Sequence, residues 1–345
     1  MISISLKRTV LFGGGGFIGT HLALYLLQNG LTDEVFLVDI LPKEKANWLP
    51  ELLEAQTARK VHYINCDVRQ TIIHPNLPPH CDLIVNLAAI HREPGHQPVE
   101  YFDTNLRGAE TICQWAEQVN CNKIVFTSSI AVYGSLNTEP KSETTLPTPN
   151  TPYGISKLIA EKTHLTWQKS APGRQLLIVR AGVIFGAGEA GNLTKMVRAI
   201  IYHYFLFSGN KTVQKAGGYV KELCASIGWM LQRQEQTQQS VVLYNFTADP
   251  APTLEDYARA IAKVAGIKYL IWSVPQWFLL FGAYLGFGIG KLFSKRLSID
   301  PARVRKLRRV NSIVPQVLRE SGYRYQYSLE TALADWKANK PIDWE

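Results

Sequence analysis

The stretch Gly13-Gly14-Gly15-Gly16-Phe17-Ile18-Gly19 follows an apolar run at residues 9–12. It precedes a helical pattern at 17–28 marked by Ile18, Leu22, Tyr25 and Leu26. Gly13, Gly16 and Gly19 have G-x-x-G-x-x-G spacing. Strand, glycine turn and helix in this order suit a dinucleotide pyrophosphate. The first glycine permits the tight turn, the second lets the phosphates approach the backbone, and the third lets helix pack closely on strand. The helix start at Phe17 and Ile18 then offers amide donors to the anion.

A downstream acid agrees with this reading. Asp39 ends the second apolar run (34–38), 20 positions after Gly19. A carboxylate there can accept both hydroxyls of the adenosine ribose and repels a 2′-phosphate, so NAD is expected rather than NADP. Asp67 and Val68 follow a third run at 61–64 and are expected near the adenine edge. A fourth run (82–87) ends in Asn86-Leu87-Ala88-Ala89, where the small residues leave room for a cofactor. Runs at 123–126 and 175–179, with helical patterns at 99–119 and 153–167, complete the alternation. Near-continuous apolar strands separated by helices predict a doubly wound parallel sheet, a Rossmann domain over residues 1–180.

Residues 181–345 are less regular and are expected to form a smaller mixed α/β substrate lobe. Its patterns are a helix at 192–207, a strand at 241–246, a Thr-capped helix at 253–265 and a short helix near 329–336. A length of 345 residues suits two domains, and 46% hydrophobic against 19% charged residues suits a sizeable core. The five cysteines are scattered and include no C-x-x-C pair, so neither a disulfide framework nor a metal site is expected. Residues 1–8 run straight into a strand pattern rather than a signal peptide, and the expected location is cytoplasmic.

The chemistry is expected around Tyr153-Gly154-Ile155-Ser156-Lys157. Tyr and Lys four residues apart share a helix face. A nearby ammonium favours the phenolate, and such a tyrosine can take a hydroxyl proton while hydride leaves the same carbon. Thr127-Ser128-Ser129-Ile130-Ala131-Val132-Tyr133-Gly134 ends the fifth strand, at the sheet edge where ligands bind.

The glycine loop, Asp39, Asn86-Leu87-Ala88-Ala89, Ser129 with Val132-Tyr133-Gly134, and the Tyr153/Lys157 pair occur in the order of the extended short-chain dehydrogenase/reductase family. The chain resembles that family's NAD-dependent sugar epimerases and dehydratases along nearly its whole length. The resemblance implies that Ser129 holds the substrate hydroxyl, that Tyr153 and Lys157 act at the cofactor and the reacting carbon, and that Asn105 supports the site. It also implies that Asn192 and Leu193 meet a diphosphate, with Lys215 near the position of an arginine that grips it. A lysine there is a point charge rather than a fork. Arg180 is followed by Ala181 where the family usually has proline.

Dehydratases of the family carry an Asp-Glu pair where this chain has Ile130-Ala131. Neither residue transfers a proton, which disfavours dehydration. What remains is reversible alcohol oxidation, either redox-neutral epimerisation or net dehydrogenation. The resemblance makes an NAD-dependent 4-epimerase of a diphosphate-linked hexose, passing through a 4-keto sugar, the leading expectation. Asn86 to Arg92, residues 127–134 and Gly191-Asn192 resemble a bacterial subgroup that includes epimerases of undecaprenyl-diphosphate-linked N-acetylglucosamine. In that subgroup reading His91 lies near the sugar. Two other functions share the scaffold: a dehydrogenase of a hydroxysteroid-like lipid alcohol, and a catalytically silent NAD-binding protein. The family also commonly forms homodimers through the helices at 99–119 and 153–167.

The formal net charge of +9 needs a location. Residues 269–290 contain no charged side chain, and residues 291–309 follow with eight Lys/Arg against Asp300 alone. The uncharged segment reads as a buried helix, a helix lying in a membrane interface or a span. Basic residues beside it suit anionic headgroups or a diphosphate, so peripheral membrane contact through 269–309 is expected. No nucleic-acid module is present, and no nucleic-acid partner is expected.

Overall fold

The computed structural model describes residues 6–93, 95–134, 139–208, 211–268, 272–274 and 312–345. Seven parallel strands form the central sheet: β1 (Leu6–Phe12), β2 (Thr32–Asp39), β3 (Val61–Asn65), β4 (Leu83–Asn86), β5 (Lys123–Ser129), β6 (Gln175–Ala181) and β10 (Val241–Phe246). Their order is β10-β6-β5-β4-β1-β2-β3. The chain therefore moves outward in one direction from β1 and in the other from β4. The crevice between these two strand ends is the switch point where such sheets bind ligands. The glycine loop leaves β1 there and Leu87-Ala88-Ala89 leave β4.

Strand cores explain the pairing. Val10, Leu11, Phe12, Val35, Leu37 and Val38 are buried almost completely, as are Leu83, Ile84 and Val85. Both sheet faces are covered, so the strands show runs rather than alternation. Helix α1 (Phe17–Gln28) buries Leu22, Ala23 and Leu26 against one face. At roughly 2 kcal/mol per buried leucine this face is a principal source of local stability. On the other face α4 (Arg107–Gln118) buries Ile112, Trp115 and Ala116.

Strand β10 lies beyond residue 180 yet pairs with β6 in register Leu243↔Ile178. The sheet thus draws on both halves of the sequence. Helix α7 (Val220–Thr237), which precedes β10, packs on α1 and was not anticipated. Its buried Val220, Leu223, Ile227, Met230 and Leu231 have helical spacing, but polar Gln, Arg and Glu near its end mask the pattern.

The expected helix at 192–207 ends early. Helix α6 spans Asn192–Ile201, the chain turns through His203 in the left-handed region (φ 59°), and β8 (Leu206–Ser208) follows. Strand β11 (Trp272–Val274) pairs with β8 in parallel. Apart from β11, the expected membrane-contact segments 269–290 and 291–309 lie outside the described residues. Among the described residues no helix is long and apolar enough to cross a membrane.

The C-terminal part closes the lobe. Helix Leu329–Asn339 packs on α8 (Leu254–Ala265), whose N-terminus has a capping box from Thr253 and Asp256. The buried Glu222 carboxylate accepts the Tyr323 hydroxyl (2.5 Å) and the Tyr327 N–H (2.8 Å), fastening the last segment to α7.

Candidate active site

Gly13 and Gly19 are required by close backbone approach. A side chain at Gly19 would strike Gly14 Cα and the Gly13 and Gly14 carbonyls at 2.6–2.7 Å, and one at Gly13 would strike Ala88 N at 2.7 Å. Gly13 also has φ +76°, which favours glycine. Gly16 differs, since a Cβ there would meet only Gly13 O at 3.3 Å. The turn is thus tight underneath and open above Gly16, at the N-terminus of α1. That opening is the shape a pyrophosphate fills.

Asp39 faces this turn from the end of β2. One carboxylate oxygen accepts the Gly15 N–H at 3.0 Å and the other accepts the Leu41 N–H at 3.0 Å. Burial pushes its carboxyl above the usual value, and these hydrogen bonds act in the opposite direction. The Tyr63 hydroxyl donates to Leu41 O, and the Asn65 amide donates to the carbonyls of Asp39, Ile40 and Leu41. Sequence reading missed Tyr63 and Asn65. They reach the loop through the β2–β3 register, which pairs Asp39 with Asn65, and nothing in the sequence states that register.

Asp67 lies past β3, but Arg69 donates to both of its carboxylate oxygens (2.7–3.0 Å) and holds its pKa down. Val68 is buried, and a Cβ on Gly108 would lie 2.9 Å from it. Leu87 N–H donates to Phe12 O, and Ala88 N–H donates to the Asn86 side chain. The segment Leu87-Ala88-Ala89 therefore runs directly beside Gly13.

Helix α5 (Pro152–Lys169) begins at Thr151, whose side chain accepts the Gly154 N–H. It carries Tyr153 and Lys157 one turn apart. The Ser129 side chain acts on the Tyr153 phenol and lowers its pKa. Ser129 also accepts the Ala131 N–H at 3.2 Å, capping the short turn Ile130–Tyr133. Lys157 is 2% exposed and its ammonium stands 4.6 Å over the Phe126 ring. Burial lowers its pKa to about 7, with Glu161 opposing that shift.

The tyrosine differs from expectation. Burial raises the Tyr153 pKa; the Ser129 hydrogen bond lowers it, and Glu93 and Tyr101 raise it further. Burial outweighs the other influences, and the Lys157 ammonium, which stands over Phe126, is not among the groups that shift the phenol.

Asn105 lies in a π turn, Phe102–Leu106, between α3 (Pro98–Tyr101) and α4. The helix expected over 99–119 runs through this turn, with right-handed helical backbone at both joins. The turn aims the Asn105 amide at the Ile90 N–H and C=O (2.9 and 3.1 Å) and at the Ser156 hydroxyl (2.9 Å). Its bonds thus cross to other elements, as π turns at functional sites often permit. His91 follows Ile90 on the irregular segment after β4. Burial first, then the charges of Arg92 and Lys157, lower its imidazole pKa.

Asn192 is exposed at the start of α6, while Leu193 turns into the lobe core. The Glu189 carboxylate accepts the Thr194 N–H (3.0 Å) and hydroxyl (2.6 Å), so this helix start already carries a negative group. Lys215 lies beside Ala216, which packs with Val132 and Tyr133 under the site, and burial lowers its pKa. Among the described residues no cluster suited to a metal ion exists.

Comparison with known proteins places this geometry. The chain is 27% identical over 327 residues to the N-acetyl-alpha-D-glucosaminyl-diphospho-ditrans,octacis-undecaprenol 4-epimerase of Escherichia coli O157:H7, covering 94% of this chain and 93% of that protein. It is 30% identical over 191 residues to a UDP-glucose 4-epimerase of Neisseria meningitidis serogroup C, covering 54% and 56%. The UDP-Glc/GlcNAc 4-epimerase structure from Campylobacter jejuni superposes with a TM-score of 0.72 at 18% identity, covering 97% of this chain and 99% of that one. Residues 9–244 match the family described as NAD dependent epimerase/dehydratase. With a tight glycine turn after β1, Asp39 ending β2, Ser129 ending β5 and Tyr153 and Lys157 one turn apart on α5, and with that match spanning most of the chain, the protein belongs to the NAD dependent epimerase/dehydratase family.

Proposed function

We propose that the protein is an NAD-dependent 4-epimerase of a diphosphate-linked hexose. The observation that carries this reading is the pairing of Tyr153 with the buried Lys157 one turn along α5, with Ser129 at the end of β5 acting on the phenol. NAD, when bound, supplies a hydride acceptor that gives the same hydride back.

The open face above Gly16, the helix start at Phe17 and Asp39 would hold that cofactor, and Lys157 would meet its nicotinamide-side ribose. Tyr153 removes the proton from the sugar 4-hydroxyl as the hydride leaves C4, which gives the 4-keto sugar. After the sugar turns in the pocket, hydride returns to the other face and Tyr153 returns the proton. Ser129 holds the reacting oxygen throughout. Ile130 and Ala131 next to Ser129 offer no group for water elimination.

The sugar carrier needs a cation and room beside the pocket. Lys215 and the exposed Asn192 suit its diphosphate, and His91 suits the sugar side. Likeness to the Escherichia coli undecaprenol 4-epimerase supports a polyprenyl-diphosphate carrier, with 269–309 as the peripheral membrane contact. The expected homodimer would pack through α4 and α5, where Ile155 and Ile159 leave a part-exposed apolar strip one turn apart.

The test is incubation with UDP-glucose, UDP-N-acetylglucosamine and polyprenyl-diphosphate N-acetylglucosamine without added NADH. Epimer formation is expected, and it is lost in Tyr153→Phe. NADH accumulating in step with product would overturn the reading in favour of a net dehydrogenase.

A further inference from the structure

Glu161 is 2% exposed and lies one helical turn beyond Lys157, on the same face of α5. Its carboxylate accepts three hydrogen bonds. The Ser128 hydroxyl and Arg180 Nε reach one oxygen at 2.5 and 2.9 Å, and Arg180 Nη2 reaches the other at 2.7 Å. Ser128 directly precedes Ser129. Arg180 Nη1 donates to the Tyr133 hydroxyl at 2.9 Å, which donates to Asn245 at 2.8 Å. Tyr133 closes the turn that Ser129 caps, and Asn245 belongs to β10. One carboxylate therefore ties α5 to the ends of β5 and β6 directly beneath the reacting groups.

The charge balance has a second consequence. Glu161 is ion-paired with the buried Arg180 at 2.7 Å, and its charge also acts on the buried Lys157 one turn away on α5, raising the lysine's pKa against the effect of burial. Replacing an ion pair of this kind by apolar groups is often tolerated, which makes a purely stabilising role a poor reason for it. Here the anion stands where the Lys157 ammonium feels it. The other charged or titratable groups around Lys157 and Tyr153 do not supply a counter-charge at this position. His91, on the loop after β4, and His164, on α5, each register the Lys157 charge. Glu93 and Tyr101 act on Tyr153 instead.

We propose that Glu161 is a positioning residue for the reaction, acting through Lys157 and Ser128 to fix the place and charge of the ammonium and the aim of Ser129. This rests on the epimerase reading above. It takes no proton from substrate and touches neither substrate nor cofactor. Loss of its charge leaves Lys157 less able to hold a proton, so the alkaline limb of the kcat profile moves to lower pH.

The test compares full-length wild type, Glu161→Asp and the double variant Glu161→Gln/Arg180→Leu, which removes the acid together with its buried partner. Measured quantities are thermal midpoint, kcat and KM against pH, and the Lys157 titration by 13C NMR of labelled lysines, assigned with Lys157→Met. In the double variant KM is expected to hold while kcat falls about tenfold or more. The Lys157 midpoint and the alkaline limb are expected to drop by about one pH unit. Glu161→Asp keeps the charge and is expected to retain the wild-type Lys157 midpoint with a smaller loss of kcat. A folded double variant with wild-type kcat and an unmoved Lys157 midpoint would overturn the proposal. If the double variant does not fold, Glu161→Asp decides: unchanged kcat across the pH range overturns it, and a fall in kcat at constant KM supports it. If wild type epimerises no sugar, the epimerase reading fails, while the NMR titration still decides the link between Glu161 and Lys157.

Discussion

The Asn105 side-chain amide donates to the Ser156 hydroxyl at 2.9 Å, and that hydroxyl donates to the Tyr153 carbonyl at 2.8 Å. A π turn in one helix thereby fastens the first turn of the helix that bears Tyr153 and Lys157. The same amide holds the Ile90 backbone, so the loop with His91 and the start of α5 share one anchor.

Asn105→Ala is expected to leave these buried partners unpaired and to cost about 2–3 kcal/mol. Calorimetry checks this through a fall in the thermal midpoint, and kcat is expected to fall with it. A midpoint equal to wild type would mean that Asn105 does not anchor the loop.

Gly19→Ala and Gly16→Ala separate folding from cofactor binding. The first places a methyl group against backbone atoms at 2.6 Å and is expected to prevent a stable α1–β1 contact. The second meets only Gly13 O at 3.3 Å, so the fold is expected to persist. Its methyl group would stand where phosphate approaches, and NAD affinity measured by titration calorimetry is expected to fall about tenfold or more. Full NAD affinity in Gly16→Ala would remove that face from the binding site.

Asp39→Ala removes the acceptor expected to take the ribose hydroxyls. Hydrogen bonds to a charged group are worth about 1.5–3 kcal/mol each, so NAD binding is expected to weaken about tenfold to a hundredfold. NADP affinity is expected to change much less, and competitive titration of the two nucleotides reads the difference. Parallel losses for both would indicate that Asp39 only braces the Gly15 and Leu41 amides.

Lys157 carries a pH signature. Its folded pKa is lowered from 10.5 to about 7, so the unfolded chain binds more protons than the folded one between these values. Stability of the cofactor-free protein should therefore rise with pH across that window, because the burial cost of the charge disappears. Lys157→Met is expected to raise the thermal midpoint at pH 6, with the advantage shrinking toward pH 10. An advantage independent of pH would show that the lysine is not the titrating group.

The cofactor turn was legible because its requirement is local. Adjacent backbone segments must approach at Gly13 and Gly19, where only glycine fits, so the outer glycines of G-x-x-G-x-x-G report the geometry directly. The same holds for Tyr153 and Lys157, whose spacing is one helical turn. The π turn at Asn105 was not legible, since an apolar helix pattern runs through 99–119 without interruption. Helix α7 was missed and the end of α6 misread for related reasons: polar residues obscured one apolar face, and aromatic Tyr202, Tyr204 and Phe205 prolonged the other.

The sequence by itself determined the parallel α/β sheet, the tight glycine turn after β1, the place of Asp39 and Ser129 at strand ends, and Tyr153 and Lys157 one turn apart on a helix. Each depends on neighbours within a few residues or on strand composition. Only the tertiary structure decided where Lys157 points, that Tyr63 and Asn65 brace the Asp39 loop, and that Glu161 meets Ser128 and Arg180. Those contacts follow from strand register and from packing of α5 across β5 and β6. They join residues far apart in the chain, where sequence spacing carries no distance.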